Sequence, residues 1–292
     1  MEMKERERQI RKYVDRMPSL STTVTKVLEV CNSPNTSAND LNRVISLDPV
    51  LTGRVLKLIN SAYYSLPNRI ASLTMAIVML GLNTVKNLAL STAVLDLFGG
   101  KGPTQVLPTD DFWMHSICTG VTAKLLAGLK NVSRVELEEY FVAGLLHDIG
   151  KLPLSYRFPQ EYAETLKMAQ KEQLSLDQVE DRVFGMDHCM VGNMIAKKWQ
   201  LGKTMSESIL FHHSPDNGDE ENRQLVSIVA LANISANSYG MGSSGDICPD
   251  TSRMHHLLEE LGISDHSLSD LQDTVHEEIE KAKIFLEVAQ QG

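Results

Sequence analysis

The sequence has few cysteines and no long run of apolar residues. Its four cysteines, Cys31, Cys118, Cys189 and Cys248, are far apart and include no CxxC pair, so neither a zinc ribbon nor a disulfide framework is expected. No segment approaches the roughly 18 to 20 consecutive apolar residues of a membrane span, and the N-terminus lacks the apolar core of a signal peptide. These absences predict a cytoplasmic protein with no membrane association.

The sequence also has fewer basic residues than acidic ones. The chain has 28 Lys and Arg against 37 Asp and Glu, which gives a formal net charge of −9. Binding to a phosphate backbone needs basic residues concentrated on one face. The only basic cluster, Lys4 to Lys12, alternates with glutamates, a pattern that predicts a solvated first helix. No nucleic-acid partner is expected.

Sequence patterns typical of β-strands are missing as well. Aromatic residues make up only 5% of the chain, and no stretch alternates apolar and polar residues for long with β-branched enrichment. Apolar residues recur instead at helical spacing, as in Val24, Val27, Leu28 and Cys31. We therefore predict an all-α fold, with five helices between Val24 and Leu97 after the solvated one.

A short segment containing three Gly and two Pro, 99–108 (GGKGPTQVLP), separates two apolar blocks and is typical of a linker. We predict an N-terminal helical bundle subdomain over 1–100, packed on a C-terminal helical domain over 109–292. In the second domain we expect helices at about 110–128, 133–146, 160–172, 175–184, 188–199, 204–213, 222–239, 252–261 and 267–289.

Side chains that bind metals are distributed along this second domain. Asp111 and His115 are four residues apart, so on a helix they share a face. His147 and Asp148 end an apolar helix, where burying a polar pair without a partner would be costly. The remaining candidates lie at the ends of predicted helices: His188, His212 and His213.

This set of residues suggests a specific chemistry. Imidazole nitrogens and carboxylate oxygens suit iron, zinc, manganese or nickel, and one carboxylate can bridge two ions. Two ions can hold a phosphoryl group while a bridging hydroxide attacks it. Lys151 follows His147 by about one helical turn and could neutralise a phosphate oxygen.

Several of these residues also have an interpretation without metal. A lone histidine such as His115 is more often a core or boundary residue than a ligand. Asp111 could be a first-turn acid favoured by the helix dipole, and His212 and His213 could favour the negative end of their helix. Asp187 could be the N-cap of the helix that begins at His188. Lys151 could be an ordinary solvated lysine.

Several short motifs together resemble the HDOD family over about residues 17–240. They are Pro18-Ser19-Leu20, Asp48-Pro49-Val50-Leu51, Leu58 to Tyr63, Leu80-Gly81-Leu82, Gly144 to Lys151, Asp187 to Gly192, and Ile209 to His213. HDOD domains are similar to the HD superfamily of metal-dependent phosphohydrolases, especially the HD-GYP phosphodiesterases that open cyclic di-GMP. Many HDOD members have lost the metal ligands and are regarded as regulatory modules. The resemblance implies that the domain over 109–292 is HD-like.

Similarity to the HD-GYP pattern implies roles for individual residues. Asp148 would bridge two metal ions, and Lys151 would contact phosphate. The other ligands implied are Asp111, His115, His147, His188, His212 and His213. Asn233 stands where the pattern has its last aspartate, and an amide is a poorer ligand than a carboxylate. The Gly-Tyr-Pro signature is absent after His213.

Two classes of function follow from this resemblance. One is a bacterial signalling and regulatory protein with a retained site for one or two divalent metal ions, iron being expected first and manganese, nickel or zinc as alternatives. The other is an active phosphohydrolase for a nucleotide or cyclic dinucleotide, with Asp148 and Lys151 as catalytic residues. A sensor that uses the same metal is a third interpretation. No receiver, kinase or DNA-binding segment is recognised, so signalling partner proteins are expected, and a small phosphate-containing ligand is a further candidate.

Overall fold

The computed structural model describes residues 2–33, 35–98, 106–246 and 250–289. In these ranges the chain is helical and contains no strand, so the predicted all-α fold is confirmed. The first half contains α1 (Glu2–Arg16), α2 (Thr22–Cys31), α3 (Ala38–Ile45), α4 (Pro49–Ile59), α5 (Leu73–Leu80) and α6 (Leu82–Phe98). The second half contains α7 (Thr109–Leu129), α8 (Leu137–Leu146), α9 (Lys151–Arg157), α10 (Pro159–Glu172), α11 (Leu176–Phe184), α12 (His188–Lys198), α13 (Lys203–Phe211), the 3-10 turn Pro215–Asn217, α14 (Arg223–Tyr239), α15 (Thr251–Leu261), α16 (Asp265–Ala282) and α17 (Ile284–Ala289).

The five helices predicted in the first half are α2 to α6, and side-chain caps define where several of them begin. Ser37 and Asp40 form a reciprocal capping box at α3, with each side chain accepting from the other residue's backbone N–H at 3.1–3.2 Å. At α4, Asp48 accepts from the backbone N–H of Leu51 at 2.9 Å, and Pro49 occupies the first helical position. The side chains of Ser37 and Asp48 therefore satisfy backbone N–H groups at the starts of these two helices.

The prediction of a solvated first helix was wrong for one face of α1. Ile10 and Val14 are buried, and α1 packs against α9, α11 and α12. The ammonium of Lys198 in α12 donates to the backbone oxygens of Val14 and Met17 at 2.8 and 2.6 Å, which satisfies carbonyls at the negative end of α1. The charged residues occupy the outer face, and the two apolar ones attach the helix to the second half.

Contacts at both ends of the chain connect the two halves. While α1 packs on helices of the second half, α17 packs on α4 and α6 of the first half, and one hydrophobic core extends through both halves. Most of the predicted linker, residues 99–105, lies outside the described residues. The division into 1–100 and 109–292 stays a prediction.

No single helix in the described ranges is both long enough and apolar enough to cross a bilayer. The pair α5 and α6 meets those criteria jointly, but the two helices are bent by 119°. Gly81 lies at that bend with a positive φ of 89°, a conformation that glycine adopts without strain.

Close backbone approaches set the distances between the helices of the second half. An ideal Cβ on Gly144 of α8 would lie 2.7 Å from the Cα of Gly120 in α7, so neither residue has room for a side chain. This crossing brings the residues at the end of α8 next to α7. A Cβ on Gly150 would likewise lie 2.0 Å from the carbonyl oxygen of His188 and 2.5 Å from the backbone nitrogen of Gly192.

Gly150→Ala should therefore destabilise the protein by about 3 kcal/mol, at the upper end of the usual overpacking range, because the new methyl group meets backbone atoms that cannot rotate away. Urea unfolding would measure the change. Gly53→Ala in α4 is the matched control, since nothing lies within 4 Å of its ideal Cβ and alanine is the better helix former. Equal midpoints for the two variants would contradict the close approach.

Candidate metal centre

Asp148 lies just after the end of α8, is fully buried, and is the centre of a polar cluster. One carboxylate oxygen, Oδ2, faces two histidines from α7 and the end of α8. It lies 3.8 Å from His115 Nε2 and 3.2 Å from His147 Nε2. The same oxygen accepts a hydrogen bond from Lys151 Nζ at 2.8 Å.

The other oxygen, Oδ1, faces histidines from α12 and from the end of α13. It lies 3.2 Å from His188 Nε2 and 3.6 Å from His212 Nε2. His188 Nε2 is also 3.4 Å from His212 Nε2 and 3.2 Å from His213 Nε2. Two groups of nitrogens thus lie on opposite sides of a single carboxylate.

Three of these imidazoles are oriented by hydrogen bonds at their other ring nitrogen. The Nδ1 of His147 contacts the carbonyl oxygen of Gly144 at 2.6 Å, and that of His212 contacts the carbonyl oxygen of Ile209 at 2.9 Å. The Nδ1 of His188 contacts Glu180 Oε2 at 2.5 Å. Because these acceptors require the proton on Nδ1, the Nε2 lone pairs are directed at Asp148. Histidine ligands of metals are held in this way.

Some atoms in the cluster are buried without a hydrogen-bond partner. In the described part of the chain, His147 Nε2 and Asp148 Oδ1 make none, although both are enclosed by protein. Leaving a buried acceptor unsatisfied costs about 1–3 kcal/mol, and a bound cation would remove that cost. The donor set therefore fits a divalent metal ion, which would supply Lewis acidity and lower the pKa of a bound water.

Asn233, on α14, reaches the cluster through His115. Its Oδ1 lies 3.0 Å from His115 Nε2, and Thr119 Oγ1 is 3.5 Å from the same nitrogen. The amide therefore occupies the place where the pattern expects a carboxylate, and it contacts a ligand candidate. It brings no negative charge to the site.

Lys151 is fully buried, so its interpretation as a solvated lysine is wrong. Besides its bond to Asp148, its ammonium donates to Ser244 Oγ at 3.1 Å. Although burial opposes protonation, the charges of Asp148 and Asp246 keep the pKa of Lys151 above its usual value. Lys151 and Asp148 thus form a buried ion pair.

The structure does not bring Asp111 into the cluster. It lies in the first turn of α7, its side chain is exposed, and its backbone oxygen accepts from the N–H of Ser243 at 3.0 Å. Among the described residues, no group of potential metal ligands includes it. Asp187 is the N-cap of α12, accepting from the backbone N–H of Met190 at 2.7 Å, as its interpretation without metal predicted.

The family model for the HDOD domain matches residues 17–215, more than half of the chain. The chain belongs to the HDOD family. A curated relative, an uncharacterized protein from Treponema pallidum, is 26% identical over 226 residues, which is 76% of this chain and 42% of that protein. The chain thus spans about two fifths of that relative's length.

Solved structures share the fold of this HDOD chain. An HDOD domain protein of unknown function from Geobacter sulfurreducens is 27% identical, with 97% of both chains covered and a TM-score of 0.75. A candidate phosphohydrolase from Shewanella amazonensis is 24% identical, with 97% of both chains covered and a TM-score of 0.69. A candidate signal transduction protein from Marinobacter aquaeolei is 18% identical, covering 99% of this chain and 67% of that one, with a TM-score of 0.73. The last two show the fold alone.

Three residues of this HDOD site were not predicted from the sequence: Glu180, Cys189 and Ser244. Glu180 lies on the buried face of α11 with Leu176 and Phe184, and it accepts from Tyr162 Oη at 2.7 Å as well as contacting His188. The sequence did indicate this residue, because an acid at an apolar position of a helix needs a buried partner.

Burial keeps His115 and His212 neutral, which is the form that binds metal. His188 differs: although burial opposes it, Cys189 and Glu180 raise the pKa of His188 well above its usual value. Burial, reinforced by His147, lowers the pKa of His115 to about 3. Burial also lowers the pKa of His212 to about 4, against the attraction of Asp148. Although burial acts against it, the neighbouring His147 and Lys151 hold the pKa of Asp148 well below its usual range. The cluster therefore contains the neutral imidazoles of His115 and His212 beside an ionised carboxylate.

Access to the cluster is narrow and acidic. A cavity of about 80 Å³ reaches His212, His213 and Asn233. Its other lining residues include three acids and one base: Asp177, Asp246, Asp250 and Arg253. The size and charge of this opening suit a small ion better than a nucleotide.

Glu180→Gln should weaken metal binding about 10- to 100-fold, because the amide is a poorer acceptor for His188 Nδ1 and does not raise the basicity of the ring. Competition with a chromophoric chelator would measure the affinity. Asp181→Asn, on the same helix but exposed, is the matched control and should bind metal like the native chain. Equal metal affinities for the two variants would show that Glu180 does not support the site.

Proposed function

We propose that this HDOD protein is a bacterial regulatory protein whose HD-like half holds a divalent metal centre. One observation carries the proposal: metal-binding side chains from α7, α12, α14 and the ends of α8 and α13 surround a single buried carboxylate. A metal bound there would connect these helices, and the free energy of binding would stabilise one arrangement of them. Such a centre can transmit a signal without turning over a substrate.

The two faces of Asp148 support a site for two ions. Oδ2 with His115 and His147 would hold one ion, while Oδ1 with His188, His212 and His213 would hold the other. Nitrogen and carboxylate donors suit iron as the first candidate, with manganese, nickel and zinc as alternatives. We assign the protein to the cytoplasm, in keeping with the unpaired Cys31, Cys118 and Cys189.

A partner protein would bind to the first half of the chain and recognise the arrangement of helices that the metal stabilises. Five exposed apolar residues lie on or beside the mutually packed helices α3, α4 and α5: Leu47, Val50, Met75, Val78 and Met79. Residues 17–98 carry six Lys and Arg against four Asp and Glu, a basic balance in a chain of net charge −9. These features support a partner with an apolar contact surrounded by acidic residues.

The partner surface can be tested by crosslinking in cells. Val78 is 74% exposed, so Val78→Asp should leave the fold intact while placing a charge within the apolar contact. We expect the crosslinked adduct of the native chain to disappear, with metal content unchanged. An adduct that persists in this variant would locate the partner elsewhere.

Phosphodiester hydrolysis is the second candidate function, and the buried ammonium of Lys151 beside Asp148 favours it. Three features weigh against it. Asn233 replaces a carboxylate, the ammonium already has two protein partners, and the cavity is small and lined by acids. We therefore place regulation first.

The deciding experiment uses the full chain reconstituted with iron or manganese. Metal content, the thermal midpoint and turnover of bis-p-nitrophenyl phosphate and cyclic di-GMP would be measured together. Regulation predicts retained metal, a raised midpoint and no turnover. Turnover that disappears in His147→Ala would establish the hydrolase, and failure to retain any metal would refute the metal centre.

A further inference from the structure

The second group of donors includes a sulfur atom. Cys189 follows His188 in α12 and is buried, and its Sγ lies 3.8 Å from His212 Nε2. The potential ligand atoms of His188, Cys189, His212 and His213 all lie within 4.8 Å of one another. Cys118, which is also buried, belongs to no such group in the part of the chain that the structure describes.

Three separations between these atoms are close to those of a coordination sphere. Nitrogens bound tetrahedrally at roughly 2.0–2.1 Å from a metal lie about 3.3–3.4 Å apart, and a thiolate at roughly 2.3 Å lies about 3.6 Å from each nitrogen. The nitrogen separations here are 3.4 Å for His188 to His212 and 3.2 Å for His188 to His213. The sulfur separation is 3.8 Å. The sulfur is also 3.9 Å from His212 Nδ1, so the Cys189 side chain has to rotate to bring Sγ to an ion bound at Nε2.

We propose that Cys189 is a thiolate ligand of the metal ion held by His188, His212 and His213, and that this sulfur closes the coordination sphere. On binding, the sulfur–metal bond forms and the thiol proton leaves to solvent. The inference rests on the proposed metal centre and adds a ligand to it.

The thiolate has consequences for function and metal choice. Catalytic sites keep an open position for water or substrate, whereas structural sites are filled by protein ligands. Three imidazoles and one thiolate fill a tetrahedral site, and Asp148 Oδ1, 3.2 Å from His188 Nε2, is available as a fifth donor. This position therefore serves to hold helices together. A soft sulfur ligand favours zinc, iron or cobalt over manganese and magnesium.

Cobalt substitution tests the proposal directly. The full chain would be freed of metal, loaded with Co²⁺ and examined for metal content and for a sulfur-to-cobalt charge-transfer band in the near ultraviolet. The native protein and Cys118→Ser should both show the band, and Cys189→Ser should lack it. The same substitution should lower Zn²⁺ affinity at least about tenfold, since loss of residues that only support a ligand already costs that much, with a smaller effect on Mn²⁺.

The possible results distinguish failure of the thiolate proposal from failure of the metal-centre proposal. Cobalt that binds to the native chain without a charge-transfer band would overturn the thiolate and leave the metal centre in place. A band that persists in Cys189→Ser would assign the sulfur to another cysteine and also overturn it. No bound cobalt at all would overturn both proposals. Because the native spectrum alone decides the first case, the test does not depend on whether Cys189→Ser folds.

Discussion

Asp148→Asn should weaken metal binding and destabilise the protein by about 3–5 kcal/mol, the usual cost of removing one member of a buried ion pair. Both sets of histidines face this carboxylate, so its loss removes one ligand from each of the two proposed metal ions. It also leaves the fully buried ammonium of Lys151 without its closest anionic partner. Metal analysis and denaturant unfolding would measure the two effects.

A double variant separates those effects. Lys151→Met keeps an unbranched side chain of similar length and removes the charge, so Asp148→Asn with Lys151→Met should recover much of the lost stability. It should not recover metal binding, because the carboxylate is still missing. If Asp148→Asn alone unfolded at the same denaturant concentration as the native protein, the buried pair would not contribute to stability. If it bound metal as tightly as the native chain, Asp148 would not be a ligand.

Acidification from pH 6.5 to pH 4 should destabilise the metal-free protein by about 3 kcal/mol or more. The folded-state pKa values of His115 and His212 are lowered from 6.5 to about 3 and about 4. In this window the unfolded chain binds protons that the folded chain does not, so stability rises with pH. The stabilisation that these two histidines give the folded state is complete above pH 6.5. It is lost as the pH falls, and it amounts to about 1.4 kcal/mol for each unit of pKa difference.

Denaturant unfolding measured at several pH values would test this expectation. His212→Gln should flatten the dependence, because the variant has one buried imidazole fewer to protonate. The matched control is His256→Gln, which replaces an exposed histidine of α15 and should follow the native curve. A native protein with constant stability from pH 6.5 to pH 4 would contradict the neutral, buried state of these imidazoles.

The helices themselves were largely predictable from the sequence. Apolar spacing and end signals located α7, α10, α11, α12, α13 and α14 to within about two residues, because those signals are local. The start of α8 was predicted four residues early, at Ser133. The short helix α9 was missed, since its seven residues contain Pro153, which a helix tolerates only near its first turn.

The candidate site was predictable in part. The proposal that histidines 115, 147, 188, 212 and 213 meet at Asp148 rested on residue type and resemblance, and the structure brings these residues together. Asp111 shares a helix with His115, yet α7 emerges from the core at its first turn and leaves that acid exposed. Helical spacing indicates a shared face and gives no information on how far the neighbouring helices cover it.

The sequence by itself determined that this protein is helical, where most helices begin and end, and which side chains could bind a metal. Those properties depend on groups within one or two turns of each other. The tertiary structure decided which of the candidates share a centre, and it added Glu180, Cys189 and Ser244. The physical reason is that convergence depends on packing between distant segments, such as the approach of Gly150 to the backbone of His188, and no local pattern encodes that distance.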